Sequence, residues 1–503
     1  MTQSQKIISS SFKREWQERN MQRPTDLNES QWQAVCHKGS HLLITAGPGT
    51  GKTHTLTHRI AHVIPTLKSN EKVLAITFTN KAARQMQERL TALGVEPATL
   101  LVGTFHHFCL KLLRDHFEHT ALPKDFKVAS PEEITGFDKE VLDRIAHLKS
   151  TQLAIAPDED YKAYQRYLRQ NSWIDFDDIL REALLLLEDE DIAALLRRQY
   201  RYIFVDEYQD SNIVQNALLK ILARDGVLLT AIGDTNQSIY GFRGSRVELF
   251  RRFEEDFVPS QTLTLQENYR AAPSLLAASG QVMDGVKLLA KLSTQGKLVI
   301  HHAATDRAEA DYVAQQIEKL MGGLDMNTSR RARHSFSDVA ILYRLNAQRH
   351  ILGKALDYLG IPYQIAQKPS KADIYSDEAV LGQNEEELEF NVEKVSLMSL
   401  HAAKGLEFPV VIIIGCEDNL LPLNLLGMKG SLEEERRLFY VGMTRAKEYL
   451  YLIHAKRRQL FGQTLIQSPS PYLADIAEEL KAYEAAKHGS PKKASDDLQM
   501  KLF

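Results

Sequence analysis

The sequence predicts an α/β fold with two parallel-sheet cores, and two features of the chain support this. Short apolar segments recur along the 503 residues as continuous runs, which is typical of strands buried on both faces of a parallel sheet. Helical patterns lie between many of these runs, as expected where helices cover such a sheet. The strands fall into two groups, before Ile232 and after Val339, so two cores are the simplest arrangement. The predicted strands are His41–Thr45, Val73–Thr77, Tyr202–Val205, Val227–Ile232, Val339–Tyr343, Val410–Ile414 and Tyr449–Ile453.

Four segments are predicted to lie outside these cores. Residues 106–198 are mostly helical in pattern and predict an insertion into the first core. Residues 367–391 are polar and acidic and predict a short linker that interrupts the second core. Residues 1–26 form an N-terminal extension, and residues 481–503 predict a flexible tail because they are rich in charged and small residues.

The composition is that of a globular protein, with 44% hydrophobic and 25% charged residues. It excludes a long disordered chain, a collagen-like chain and a disulfide scaffold. Lys and Arg total 62 against 65 Asp and Glu, a net charge of −3, so any nucleic-acid site must be a local basic groove. The cysteines Cys36, Cys109 and Cys416 are far apart in sequence, which disfavours zinc-knuckle and iron–sulfur sites and suits a reducing cytoplasm.

Membrane segments are not expected. No stretch approaches the ~18 uninterrupted apolar residues of a membrane span, and the N-terminus lacks the apolar region of a secretory signal. The sequence therefore predicts a cytoplasmic protein.

The clearest chemical motif is a phosphate-binding loop at Ala46-Gly47-Pro48-Gly49-Thr50-Gly51-Lys52-Thr53, with Ala46 in place of the usual first glycine. It follows an apolar strand and opens a helix, so backbone N–H groups and the helix dipole can both favour phosphate. We expect Lys52 to reach the β- and γ-phosphates of ATP and Thr53 to ligate Mg²⁺. The alternative, an ordinary glycine-rich turn, does not explain Gly-Lys-Thr between a strand and a helix.

A second apolar strand ends in Asp206-Glu207. Asp206 is expected to hold Mg²⁺ through water, and Glu207 to orient or deprotonate the attacking water. A strand that ends in Asp-Glu is common among α/β proteins, so this pair gains weight only beside the phosphate-binding loop. The adjacent glutamate favours hydrolysis of the nucleotide over phosphoryl transfer to a small molecule.

With further short motifs, the chain resembles the UvrD/Rep/PcrA branch of superfamily 1 DNA helicases. The motifs stand in the family's order and span most of the chain, which chance does not explain, although each is weak alone. They are Leu27–Gln31 (Q motif), Ala46–Thr53 (I), Thr77–Ala83 (Ia), Gly103–His106 (Ib), Val205–Asp210 (II), Gly233–Gly244 (III), Asn268–Arg270 (IV), Leu400–Phe408 (V) and Tyr440–Lys447 (VI).

The resemblance implies two RecA-like P-loop NTPase cores with ATP bound between them. It assigns residues 27–105 and 199–262 to core 1A, residues 106–198 to the helical insertion 1B, and residues 263–366 and 392–480 to core 2A. In these terms Gln31 reads adenine, Tyr269 stacks on it and Glu407 contacts the ribose. The alternatives for the last two are a buried tyrosine and a solvated glutamate.

The resemblance also implies how the γ-phosphate is recognised. Gln237 senses it from the first core, and Arg270 and Arg445 reach it from the second core, as arginine fingers do. The alternative for each arginine is a surface salt bridge.

Single-stranded DNA is implied to stack on aromatic side chains along a cationic track, largely without sequence preference. Phe242 stands where many family members carry tryptophan, so we expect a smaller stacking area there. The alternative is that the aromatics belong to the hydrophobic core. The residues assigned to DNA are Phe78, Asn80, His106, Tyr240, Phe242, Arg243 and His401.

Two departures from the family pattern stand out. His54 follows the phosphate-binding loop where family members often have arginine near the base. The family also carries a large accessory domain, called 2B, between motifs IV and V. Only about residues 367–391 remain for it here, far below the ~50 residues of a small domain, so 2B is predicted to be absent.

The function implied is that of an ATP- and Mg²⁺-dependent single-stranded DNA translocase and helicase. The resemblance adds 3′-to-5′ polarity, tailed duplex substrates and a role in repair, recombination or replication restart. We expect a monomer. A motor that loads or removes partners with little unwinding stays open because 2B is missing. A helicase–nuclease lacks room for a nuclease domain after Leu473, and a small-molecule kinase does not explain motifs III to VI.

The segment Gln499-Met500-Lys501-Leu502-Phe503 resembles the Q-x-x-L-F peptide by which bacterial replication and repair proteins dock on the sliding clamp β. Gln499 can hydrogen-bond at a groove edge while Leu502 and Phe503 fill an apolar pocket. The charged linker before it lets the peptide reach a partner without strain. The alternatives are a random apolar end or a tail that folds back on the second core.

Overall fold

The computed structural model describes residues 23–283, 287–322, 334–365, 393–425 and 427–484. The predicted linker at residues 367–391, the clamp-binding residues Gln499, Leu502 and Phe503, and residues 1–22 of the N-terminal extension lie outside the described residues. None of the helices within the described ranges is long and apolar enough to cross a membrane.

The first core is a six-stranded sheet in which all neighbouring strands run parallel, in the order β3-β2-β4-β5-β1-β6. Its strands are β1 His41–Ala46, β2 Lys72–Thr77, β3 Leu100–Thr104, β4 Tyr200–Val205, β5 Leu228–Gly233 and β6 Ser260–Leu265. Successive residues pack into different hydrophobic clusters: Leu42 and Ile44 into one, Leu43 into the other. Burial on both faces explains why the central strands are continuous apolar runs.

The second core is an eight-stranded sheet with the main order β9-β10-β8-β11-β12-β7-β14. These strands run parallel, and β13 joins β12 as an antiparallel hairpin. They are β7 Lys297–Thr305, β8 Val339–Tyr343, β9 Tyr363–Ile365, β10 Val395–Ser399, β11 Phe408–Ile413, β12 Ala446–Leu460, β13 Gln463–Ile466 and β14 Lys481–Tyr483. Two clusters again cover the two faces, with Leu342 in one and Ile341 in the other.

Helices cover both sheets, and the predicted α/β class is confirmed. Those associated with the first part of the chain are α1 Glu29–Cys36, α2 Lys52–Val63, α3 Asn80–Ala92, α4 Phe105–Asp115, α5 Lys139–Thr151, α6 Glu159–Gln170, α7 Phe176–Leu186, α8 Glu190–Gln199, α9 Ile213–Leu222, α10 Val247–Arg251 and α11 Phe253–Asp256. Those of the second part are α12 Pro273–Val282, α13 Asp306–Leu320, α14 Arg349–Tyr358 and α15 Leu432–Met443.

All seven predicted strands are present, and their grouping into two sheets, up to Ile232 and from Val339, is confirmed. Two further strands of these sheets lie between the groups. Strand β6 belongs to the first sheet after Ile232, and β7 belongs to the second sheet before Val339. Strand β6 lies at a sheet edge and is largely exposed, so its alternating Ser-Gln-Thr-Leu-Thr-Leu sequence lacks the continuous apolar run of a central strand. The predicted tail also begins too early, because Lys481–Tyr483 pairs with β7 as an edge strand.

The predicted helical insertion contains two kinds of packing. Helices α4, α7 and α8 share the hydrophobic cluster that includes Ile76 and Val205 of the first sheet. A separate small cluster lies between them in sequence, formed by Ala129, Ile134, Ile145, Tyr164 and Leu168. The segment with its own core is therefore narrower than residues 106–198, because α4, α7 and α8 bury their apolar faces on the sheet.

A buried ion cluster holds the second core together. Arg458 on β12 lies between Glu309 of α13 and Glu417, which follows β11, and all three side chains are at most 3% exposed. The Arg458 Nη2 atom donates to Glu309 Oε2 at 2.6 Å and to Glu417 Oε1 at 2.5 Å. Because Arg458 is the cation of this buried cluster, its loss would leave the carboxyl groups of Glu309 and Glu417 without a positive partner.

We expect Arg458→Ala to lower the free energy of unfolding of the second core by about 3–5 kcal/mol, the usual cost of breaking a buried ion pair. Urea unfolding followed by circular dichroism measures this change. Arg252→Ala is the matched control, since Arg252 and its partner Glu255 are 60% and 72% exposed. The control should leave the unfolding midpoint almost unchanged. A similar midpoint for both variants would contradict the structural role of Arg458.

Candidate nucleotide site and DNA track between the two cores

A cavity of about 930 Å³ lies between the two cores. The phosphate-binding loop after β1 and Asp206 after β4 place it at the carboxyl ends of the first sheet's strands, where α/β proteins bind ligands. It brings together most of the predicted nucleotide residues. They are Gln31, Gly49, Gly51, Lys52, Thr53, Asp206, Glu207 and Gln237 from the first core, and Tyr269, Arg270, Glu407 and Arg445 from the second.

The phosphate-binding loop is held from its buried side. Gly49 and Gly51 have φ values of +70° and +80°, which favour glycine, and a Cβ on Gly49 would lie 2.6 Å from Asn268 Nδ2. Thr50 is buried and its hydroxyl donates to the Gly47 carbonyl at 2.8 Å. These contacts keep the loop open for phosphate.

Two residues predicted to bind the nucleotide have contacts within the protein instead of a fully free side chain. Ala46 is the last residue of β1, fully buried, and does not line the cavity. Gln31 lines the cavity, but its Nε2 donates to the Thr50 carbonyl at 3.0 Å and its Oε1 accepts the Asn28 N–H at 2.9 Å. Gln31 therefore ties α1 to the phosphate-binding loop.

The predicted magnesium residues meet. The Thr53 hydroxyl donates to Asp206 Oδ2 at 3.3 Å. Burial, followed by the neighbouring Glu207, raises the pKa of Asp206 to about 6, so a cation there would favour the ionised carboxylate. A hydroxyl and a carboxylate are hard oxygen ligands, so the pair fits Mg²⁺.

Glu207 carries an ionised carboxylate into the cavity. Its φ of +52° is unusual for a side-chain-bearing residue, and its Oε1 lies 3.9 Å from Lys52 Nζ. Its Oε2 accepts a hydrogen bond from Gln209. Burial raises the pKa of Glu207, but Lys52 and then Lys404 lower it by more, to about 2. The carboxylate can therefore accept a hydrogen bond from a water molecule.

Arg445 reaches the first core from the second. Its Nη2 donates to Gln237 Oε1 at 3.2 Å, while its Nε donates to the Val441 carbonyl at 2.9 Å. Burial, followed by Arg270, lowers the pKa of Arg445 to about 9, so the guanidinium stays charged at neutral pH. The side chain is 1% exposed, which rules out the alternative of a surface salt bridge.

Arg270 and Glu407 form an ion pair at the rim of the cavity. Arg270 Nε donates to Glu407 Oε2 at 2.6 Å, and Lys447 Nζ lies 2.7 Å from Glu407 Oε1. Both carboxylate oxygens are thus engaged by cations. For Arg270 the salt-bridge alternative is present in the structure, and a ribose contact by Glu407 would share these partners.

Tyr269 offers an exposed ring beside the phosphate-binding loop. The residue is 45% exposed, and its hydroxyl is held by Glu267 Oε2 and by Asn28 Nδ2 at 3.0 Å. Its backbone N–H donates to the Gly49 carbonyl at 2.9 Å. The alternative of a buried tyrosine is excluded, and the ring is available for stacking on a base.

Lys404 is a site residue that the sequence interpretation missed. Its Nζ forms an ion pair with Asp210 and donates to the Gln237 carbonyl at 2.6 Å. Burial lowers the pKa of Lys404, but Asp210 and Glu207 raise it by more, so the ammonium is charged. The only sequence signal was its place inside the Leu400–Phe408 motif.

Predicted DNA residues form a connected aromatic row beside the cavity. Phe78 and Tyr240 stack with ring centroids 4.8 Å apart, and Tyr240 lies 6.1 Å from Phe242. Phe242 meets His401 edge to face at 5.8 Å. The Arg243 guanidinium lies 5.7 Å from the Phe242 ring. Phe242 is 63% exposed, so the core alternative does not apply to it, whereas Phe78 and Tyr240 are half-buried.

His106 differs from the expected cationic contact. Its ring stacks on Phe176 with centroids 3.7 Å apart, and burial, followed by Arg243, lowers its pKa to about 3. The imidazole is therefore neutral and adds no positive charge to the track. Asn80 is the first residue of α3 and is half-buried beside Thr79, the N-cap of that helix.

We expect Phe242→Ala to weaken single-strand binding by about 1–3 kcal/mol, the worth of one base–aromatic stack, while ATP affinity without DNA stays unchanged. Fluorescence anisotropy with a labelled oligonucleotide measures the loss. Phe461→Ala is the matched control, because Phe461 is 57% exposed on the hairpin between β12 and β13. Equal DNA affinity for the two variants would remove Phe242 from the track.

The chain matches two family models along most of its length. Residues 27–158 and 147–258 match the UvrD/REP helicase N-terminal domain, and residues 263–371 and 368–457 match the UvrD-like helicase C-terminal domain. The first match ends just before β6, the last strand of the first sheet, and the second begins within β6, so each family model covers most of one core.

Two bacterial relatives named ATP-dependent DNA helicase PcrA extend this result. The protein of Staphylococcus epidermidis RP62A is 27% identical over 642 aligned positions, which cover 90% of this chain and 87% of the relative. The protein of Staphylococcus aureus MRSA252 is 28% identical over 663 positions, covering 95% and 89%. Both alignments are longer than the 503 residues of this chain, so the relatives carry inserted segments that it lacks. The chain belongs to the UvrD/PcrA-like branch of superfamily 1 and is an ATP-dependent DNA helicase.

Proposed function

We propose that the protein moves 3′ to 5′ along single-stranded DNA at the expense of Mg²⁺-ATP and unwinds tailed duplexes during repair, recombination or replication restart. The observation that carries the motor part of this proposal is the position of Lys404. Its Nζ contacts Asp210 and the Gln237 carbonyl and lies 5.0 Å from the Tyr240 ring. One side chain thus contacts both the nucleotide site and the aromatic row.

This contact suggests how hydrolysis moves DNA. Gln237 also accepts from Arg445, so a change at the γ-phosphate would shift Gln237 and with it the Lys404 ammonium. The ammonium lies near the Tyr240 ring, which stacks on Phe78. A change in nucleotide state would therefore reach the rings on which bases stack.

In the proposed reaction, Lys52 binds the β- and γ-phosphates and Glu207 accepts a proton from the attacking water. Arg445 and Arg270 stabilise charge on the γ-phosphate from the second core. Thr53 and Asp206 would hold Mg²⁺, which neutralises phosphate charge when bound. Around the base, Gln31 and Tyr269 would contact adenine and Glu407 the ribose.

The proposed domain assignment follows the two sheets. Cores 1A and 2A would be the two RecA-like units, and the cluster that contains Ile145 and Tyr164 would be the hydrophobic core of 1B. We further propose that the protein is a cytoplasmic monomer, since the nucleotide cavity is completed by residues of one chain.

A second candidate function is a DNA-stimulated ATPase that remodels or loads partners with little unwinding of its own. The inserted segments of the PcrA relatives favour it, since this chain lacks them. The aromatic row lies on the cores, so translocation would persist while the grip on duplex DNA is reduced.

Glu207→Gln should still bind ATP but hydrolyse it about 10²- to 10⁴-fold more slowly, because the amide cannot accept the proton. ATPase assays with single-stranded DNA and nucleotide-binding titrations separate the two effects. Glu318→Gln on the exposed face of α13 is the control and should retain full activity. Hydrolysis at the wild-type rate by Glu207→Gln would exclude this residue as the base.

Duplexes with a 3′ single-stranded tail should be unwound faster than duplexes with a 5′ tail. The proposed motor moves 3′ to 5′, so from a 3′ tail it runs into the duplex, and from a 5′ tail it runs away from it. A strand-separation assay on both substrates tests the polarity, and a translocation assay on single strands runs beside it. Fast translocation in the 3′-to-5′ direction with almost no strand separation would favour the second function. Equal use of both tails would overturn the polarity.

We also propose that Gln499, Leu502 and Phe503 bind a sliding clamp. The support is the sequence match to the Q-x-x-L-F peptide. Full-length protein should bind the host's clamp in an anisotropy titration with a micromolar Kd, about 8 kcal/mol of binding free energy. A version that lacks residues 499–503 should not. Equal binding by both, or binding by neither, would refute the interaction.

A further inference from the structure

Two histidines and one carboxylate meet beside the nucleotide cavity. His54 and His58 lie one helical turn apart on α2, so their side chains share one face of the helix. Asp26 precedes α1 in the chain and approaches both of them. The Nε2 atom of His54 lies 3.1 Å from Asp26 Oδ2, and the Nε2 atom of His58 lies 3.5 Å from the same oxygen.

We propose that Asp26, His54 and His58 form a binding site for Zn²⁺, with three protein ligands and an open fourth position. Zinc–nitrogen and zinc–oxygen bonds of about 2.0–2.1 Å in a tetrahedron place neighbouring ligand atoms roughly 3.3–3.4 Å apart. The two observed separations lie on either side of this value. One ligand atom from each residue falls within 4.8 Å of the others.

The donor set selects the metal class. Two imidazoles and one carboxylate are the protein ligands of known open zinc sites, and imidazole favours zinc and its transition-metal neighbours over Mg²⁺ or Ca²⁺. The site is therefore chemically different from the oxygen pair of Thr53 and Asp206. An ion here would not replace the magnesium that accompanies ATP.

The charged groups around Asp26 leave its carboxylate available to bind a metal ion. Within the described ranges, its ion-pair partners are the two imidazoles, and no lysine or arginine occupies it. This contrasts with Glu407, which Arg270 and Lys447 hold from both sides. The side chain of His58 is 13% exposed and those of His54 and Asp26 are 38% and 55% exposed, so an ion can enter from solvent.

Metal binding at this point would act on the nucleotide site. Asp26 and His54 line the nucleotide cavity, whereas His58 does not. Asp26 lies just before α1, whose Gln31 donates to the phosphate-binding loop. The ion would tie this segment to α2 and fix the wall of the cavity that Gln31 belongs to.

The test is calorimetric titration of the full-length, nucleotide-free protein with Zn²⁺, with excess Mg²⁺ to occupy the Thr53–Asp206 pair. We expect one saturable equivalent of Zn²⁺ per chain. Titration with Co²⁺ should give the strong visible absorption of a four-coordinate ion. His58→Gln and Asp26→Asn should each weaken Zn²⁺ binding by about 10-fold or more, since even losing a residue that only supports a ligand costs 10–100-fold.

His119→Gln is the matched control. His119 also pairs with an aspartate, its Nδ1 lying 3.5 Å from Asp189 Oδ2, but the ring of the nearby His116 is 6.4 Å away. This control should bind Zn²⁺ as the wild type does. No saturable equivalent in the wild type, unchanged affinity in Asp26→Asn, or equal loss in the control would overturn the proposal. Asp26 is largely exposed, so that variant reports on the site even where His58→Gln is poorly folded.

Discussion

The buried ammonium group of Lys404 couples the packing of the two cores to the charge state of the site between them. A charge that is 7% exposed must be paired, and its partners Asp210 and the Gln237 carbonyl both belong to the first core. If the second core moved away, Asp210 would lose the cation that stabilises its ionised form. Burial already raises the pKa of Asp210 to about 7, so an unpaired carboxylate there would take up a proton. Core closure and the charge state of this site are therefore coupled.

Burial and pairing with cations also give different pKa values to the two neighbouring carboxylates that follow β4. Asp206 and Glu207 are adjacent, yet their pKa values lie at about 6 and about 2. Lys52 and Lys404 outweigh burial at Glu207, whereas burial and the neighbouring Glu207 outweigh the attraction of Lys52 at Asp206. A pair of acids whose environments pull their pKa values apart can take two roles, one as a carboxylate that is ionised at neutral pH and one whose ionised form a metal ion would favour.

Much of the fold and of the nucleotide site follows from the sequence because their signals are local. A continuous apolar strand followed by Gly-Lys-Thr specifies a strand, a loop and a helix N-terminus within a dozen residues, and Lys52 and Thr53 lie where this pattern requires. Edge strand β6 was missed, and residues 481–483 were assigned to the tail instead of to edge strand β14. The reason is that a strand exposed on one side has no continuous apolar run. Such strands are defined by the neighbour they pair with.

Lys404 and His106 show a second limit. The charge state and partners of a side chain depend on residues far away in sequence, such as Asp210 for Lys404 and Phe176 for His106. A motif places such a residue near the site, but it does not give the burial that makes one a charged link and the other a neutral ring. These properties arise only when the cores pack.

The contacts that join the nucleotide cavity to the aromatic row do not require the inserted segments of the PcrA relatives. Lys404, Gln237, Arg445 and Tyr240 all lie on the two cores, and the contacts between them need no further domain. The second core completes its own interior, as the buried cluster of Arg458, Glu309 and Glu417 indicates. Because the residues proposed to sense the nucleotide and to stack on bases meet within these cores, a chain without the inserted segments keeps the parts of the proposed motor. What it lacks is the surface that these segments add beyond the cores.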